Sequence, residues 1–167
     1  MDVLLNDLNQ NIKFTPAMKD WFNDFKACNL NDLNIMFITE NYYKSFCLYE
    51  TEQFNNNFHI ERTSNVMFHT LNKTSNDNVP NSHSALWFNF NKELLQFISK
   101  VNKNNVVYIF IGQNTFNFSQ YVDKKNNYIM FLPDLDSCFW NYVECTDTVK
   151  ENINFILQKH GNDKINW

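Results

Sequence analysis

The sequence predicts an α+β fold: a single domain over residues 1-167, with a mainly antiparallel sheet and N-terminal, central and C-terminal helices packed on it. Three observations predict it. Four strand-like segments follow one another between residues 34 and 72 with no helical pattern among them. Apolar stripes at three- and four-residue spacing mark helices on either side of that run. No internal repeat or strand-helix-strand alternation runs through the chain.

The elements follow in order. Thr15-Pro16 is a helix start, because Thr caps free amides and Pro is pre-set for the first helical position. Behind it Met18, Trp21, Phe22, Phe25 and Cys28 form one apolar stripe on a helix of about 16 to 28. A shorter amphipathic helix with Val3, Leu4, Leu5 and Leu8 inward precedes it. Ile35 to Thr39 and Tyr43 to Tyr49 read as strands joined around Glu40-Asn41, and Phe58 to Arg62 and Val66 to Leu71 flank the turn-prone Thr63-Ser64-Asn65. Four strands in succession suit an antiparallel meander better than βαβ winding.

The polar stretch 72-84 reads as a loop. Beyond it Asn91 is placed to cap a helix carrying Leu94, Leu95, Ile98 and Val101. Val106 to Ile111 is an uninterrupted β-branched run, the pattern of a strand covered on both faces, ended by Gly112. Phe116 to Val122 and Tyr128 to Leu132 read as a hairpin about Lys124-Lys125-Asn126-Asn127, closed by Pro133. Thr146 or Asp147 then caps a last helix with Val149, Ile153, Ile156 and Leu157 inward, stopped by Gly161.

Composition bounds the function. With 44% hydrophobic residues, 17 Phe and only 19% charged residues, the chain is globular rather than disordered. A net charge of −4 offers no general basic field, which predicts no direct contact with nucleic acid. The 30 Asn, dispersed among apolar residues, are explained by an AT-rich genome. Cys28, Cys47, Cys138 and Cys145 lack CxxC spacing, the N-terminus lacks the pattern of a signal peptide, and no apolar run approaches the ~18 residues of a membrane span. These observations predict a cytoplasmic protein with no membrane contact. GxGxxG, P-loop, GxSxG and HExxH motifs are absent, and two glycines leave little to build a phosphate cradle, so no cofactor and no metal is expected.

Two constellations carry chemistry. From Tyr128 to Val149 there is no Lys or Arg, while Asp134, Asp136, Glu144 and Asp147 fall there among Trp140 and Tyr142. Carboxylates around exposed aromatic rings suit a basic protein partner, the acids steering encounter and the rings anchoring it. The function expected from this surface is that of an immunity protein, a non-catalytic antitoxin that masks the active site of a basic toxin or nuclease. The plainer reading makes the rings core and the acids solvated. The second constellation places His59, Glu61 and His69 on one face if Thr63-Ser64-Asn65 closes a hairpin, and two imidazoles with a carboxylate suit acid-base cleavage of RNA, as in a small ribonuclease. Its plainer reading is a solvent-facing sheet surface, and a one-residue slip in register would dissolve it. A structural or capsid-associated subunit is a third reading, and the exposed edge of a meander suits a homodimer contact.

Overall fold

The computed structural model describes residue 25 and residues 28–41, 65–73, 82–102, 104–134, 137, 139 and 142–167. Four strands run through them: β1 (Ile35–Asn41), β2 (Val66–Asn72), β3 (Val107–Ile111) and β4 (Tyr128–Leu132). The helices are α1 (Ser84–Val101), the single turn α2 (Gln113–Phe116), followed by a 3-10 turn over Asn117–Tyr121, and α3 (Val143–Lys159). The strands form one sheet in the order β2-β1-β3-β4, and every pair in it is parallel.

This corrects the antiparallel expectation. Ile35 lies beside Val66 on one side and Val107 on the other, and Val107 lies beside Tyr128. Parallel neighbours need crossover connections, and α1 supplies the one between β2 and β3. The fold is therefore α/β. Strand alternation sends Met36, Ile38, Met67, Leu71, Tyr108 and Phe110 to one face, where Trp87, Phe90, Leu94, Leu95 and Ile98 of α1 cover them. Ile35, Phe37, Val66, Val107, Ile109 and Ile111 face the other way, against Val149, Ile153 and Leu157 of α3. Both faces are buried, which is why the strands read as continuous apolar runs rather than alternating ones.

Several boundaries differ from the sequence reading. The expected strand Phe116 to Val122 is the end of α2 and the 3-10 turn, so the hairpin with β4 does not exist. The central helix begins at Ser84, within what reads as loop, and the last helix begins at Val143 rather than after Thr146 or Asp147. It ends where expected. The Gly161 amide donates to the Gln158 carbonyl at 3.0 Å and the Asn162 amide to that of Leu157 at 3.0 Å, closing the helix through a residue at φ 77°. The shorter N-terminal helix, the strands at 43 to 49 and 58 to 62, and all of the helix at 16 to 28 but Phe25 and Cys28 lie outside the described residues. Burial pushes the thiol of Cys28 up to about 11.

Candidate functional site

In an open parallel sheet the connections from adjacent central strands lead to opposite sides at one point, leaving a crevice beyond the C-terminal strand ends. Here that point lies between β1 and β3, because β2 flanks β1 on one side while β3 and β4 continue on the other. A crevice of about 590 Å³ opens there. Glu40 comes from the end of β1, Leu71 and Asn72 from the end of β2, and Asn114 and Phe118 from the turns after β3. Ser84, Ala85, Phe88 and Asn91 recur on one side of α1 and form its wall. The Asn114 amide donates to Glu40 Oε1 at 2.8 Å, which fixes the carboxylate at the rim.

Gly112 shapes the neighbouring strand end. At φ 86° it turns the chain from β3 into α2, and a Cβ there would lie 2.8 Å from Asp134 Oδ2. Only glycine lets the end of β3 and the residues after β4 approach this closely.

Below the crevice lies a buried polar network. Asn91 is 1% exposed; its Nδ2 donates to the Leu71 carbonyl at 2.7 Å. Its Oδ1 accepts from Lys73 Nζ at 3.1 Å and meets His69 Nε2 at 3.0 Å. A carbonyl oxygen only accepts, so His69 carries its proton on Nε2. Lys73 also donates to the Thr70 carbonyl at 2.7 Å, and its ammonium lies 4.8 Å and 4.9 Å from the ring centres of Trp87 and Phe90. Burial holds the Lys73 amine well below the ordinary lysine range. Burial also holds His69 well below the ordinary imidazole range, reinforced by the charge of Lys73 and opposed by the bond to Asn91.

A depressed imidazole has a consequence for stability. Below the ordinary value of 6.5 the unfolded chain takes up a proton that the folded chain refuses, so stability falls as pH falls. Thermal denaturation between pH 6.5 and pH 5.5 is expected to show a loss of up to ~1 kcal/mol. His69→Gln should flatten that interval.

The residues singled out by sequence fall in different places. His69 is fully buried beneath α1, beside Ile38 of β1 in parallel register, so it lies on no solvent-facing hairpin surface. His59 and Glu61 lie outside the described residues, as do Asp136 and Trp140. Asp134 follows β4 at the same end of the sheet as the crevice. Tyr142 caps the start of α3 and is 62% exposed, and Glu144 is exposed in its first turn. Asp147 lies one turn further on, paired with Lys150 at 3.7 Å. Asn72, Asn91 and Asn114 were missed as site residues. The signal for them was positional, since each stands at or over a strand's C-terminal end once the sheet is known to be parallel.

No helix among the described residues is long and apolar enough to cross a membrane. No protein-family model matches the chain, and no curated protein matches it. Solved structures do. The phenylalanine variant of mimivirus UNG in complex with UGI superposes with a TM-score of 0.67 at 13% identity, over 96% of this chain and 78% of that one. The corresponding leucine variant gives 0.65 at 13% identity over the same shares of each chain. Mimivirus uracil-DNA glycosylase by itself gives 0.63 at 13% identity, over 88% of this chain and 72% of that one. These likenesses overturn both functions expected from the sequence, the immunity protein and the ribonuclease. The expected absence of nucleic-acid contact is at odds with neighbours that are named as uracil-DNA glycosylase, and two of those neighbours are complexes with UGI. The crevice at the β1/β3 reversal thus belongs to a chain whose fold is similar to that of uracil-DNA glycosylase.

Proposed function

We propose that the protein binds nucleic acid by taking one extruded base into the crevice beyond β1 and β3. The observation that carries this reading is the lining itself, with Glu40, Asn72 and Asn114 supplying polar groups beside the rings of Phe88 and Phe118. Enzymes that act on a base cannot reach it within the duplex, so they read its Watson-Crick edge with hydrogen bonds and hold its face between apolar side chains. A uracil edge presents one N–H and two carbonyl oxygens. A fixed carboxylate accepts from the former and side-chain amides donate to the latter. The similarity of fold supports the same reading. With a net charge of −4, affinity comes from the base rather than from phosphates, and single strands are the favoured substrate because no stacking or pairing opposes extrusion.

Fluorescence anisotropy with a short single-stranded oligonucleotide carrying deoxyuridine tests the binding. The oligonucleotide should bind, free uracil should compete, and Glu40→Gln should weaken binding about tenfold through loss of a charged hydrogen-bond acceptor. Equal affinity for the same strand with an abasic position in place of deoxyuridine would refute base capture.

A further inference from the structure

Beside the crevice three aromatic rings meet at the surface. Phe88 of α1 lies 5.4 Å from Phe118 and 6.0 Å from Tyr121 of the 3-10 turn, and Phe118 lies 5.9 Å from Tyr121, measured between ring centres. Phe88 is 41% exposed, a large apolar side chain left in water at the mouth of a polar crevice. Lys92 stands one helical turn beyond Phe88, its ammonium 5.8 Å from the ring centre of Tyr121. Phe88 and Phe118 line the crevice itself, while Tyr121 and Lys92 extend the same surface away from it.

We propose that this surface is a second subsite, on which the nucleotide next to the captured one stacks its base while Lys92 meets the intervening phosphate. The inference rests on the base-binding reading and extends it from one nucleotide to a strand. Its chemistry is that of a stacking platform. Every base has a π-face, so aromatic rings hold a strand without reading its sequence, and a cation at the edge tracks the backbone. Charge separates this occupant from the alternatives. The molecule is acidic overall, and one lysine on an aromatic cluster matches one phosphate, not an extended polyanion. The strand should therefore bind with a shallow salt dependence, near a slope of −0.7 for the single phosphate neutralised.

The test compares deoxyuridine 5′-monophosphate with a short oligodeoxynucleotide of central deoxyuridine, titrated across salt concentrations. The oligonucleotide is expected to bind roughly tenfold more tightly, the gain of one stacked base. Tyr121→Ala should remove most of that gain, and Lys92→Gln should lower the salt slope by about 0.7, with mononucleotide affinity unchanged by either. If the mononucleotide binds and lengthening it adds nothing, the platform is refuted while base capture stands. If neither ligand binds, both readings fall. A loss shared equally by mononucleotide and oligonucleotide in Tyr121→Ala would assign the ring to the fold and overturn the subsite, and an unaltered salt slope in Lys92→Gln would do the same.

Discussion

Asn91→Leu is expected to destabilise the protein by about 1–3 kcal/mol, the cost typical of leaving buried hydrogen-bonding groups without their partner. Leucine keeps the branched shape of asparagine but is larger, so overpacking adds to the loss of the amide. The substitution takes away the acceptor shared by Lys73 and His69 and the donor that satisfies the Leu71 carbonyl, at a position 1% exposed. Lys73 keeps its bond to Thr70 and its place over two rings, but a buried ammonium with one fewer acceptor has its charged form penalised further. Chemical denaturation gives the free energy directly. Adding Lys73→Met should recover part of the loss, because it removes the cation that leucine leaves short of an acceptor; strictly additive losses in the double variant would refute the coupling.

Gly112→Ala should cost about 1–3 kcal/mol, the strain of a side chain held at a backbone angle that L residues rarely adopt. Its φ of 86° sets that strain, and the new Cβ would also stand 2.8 Å from Asp134 Oδ2. The atom met is the far end of a side chain rather than backbone, so a small swing relieves the contact and strain is the larger part. Because the swing disturbs the strand ends, substrate affinity should fall along with melting temperature. Gly161→Ala is the control, at φ 77° with no atom within 4 Å of the added carbon, and it should lower the melting temperature without touching affinity. Equal affinity in both variants would separate Gly112 from the crevice.

The strands were legible and their pairing was not. Ile35 to Thr39, Val66 to Leu71, Val106 to Ile111 and Tyr128 to Leu132 are all strands within a residue or two of where apolar runs place them. Each run is apolar on both faces, and the direction of its neighbours leaves no mark on such a run. Expecting a meander also required the segments at 43 to 49 and 58 to 62 to pair locally, whereas β1 finds β2 in parallel and β3 across the crossover of α1. Phe116 to Val122 is rich in residues that favour strands, yet it turns tightly after Gly112 and packs its rings on α1 and β4, where tertiary contact outweighs propensity.

The asparagines show the limit of reading composition. An AT-rich genome accounts for their number but not their positions. Asn102 donates to the carbonyls of Leu30 and Leu33 at 2.5 Å and 3.1 Å, tying the end of α1 to the chain before β1. Asn127 donates to Ser99 and Asp123 carbonyls and accepts from the Val106 amide, joining three segments below the sheet. With Asn91 they show amides serving as internal staples, and among so many asparagines no local pattern separates these from the solvated ones. Of His59, Glu61 and His69, only His69 lies among the described residues. Expected on a solvent-facing sheet surface, it faces Asn91 under a helix.

The strand order β2-β1-β3-β4 also governs how the molecule is made. As the chain leaves the ribosome, β1 can dock on β2, but its other edge stays open until α1 has been synthesised and β3 emerges behind it. Closing so long a loop is slow, and an apolar edge left bare in the meantime can pair with another nascent chain. The same central strand that anchors the finished sheet is thus its most vulnerable segment during synthesis, and its protection waits on residues translated much later.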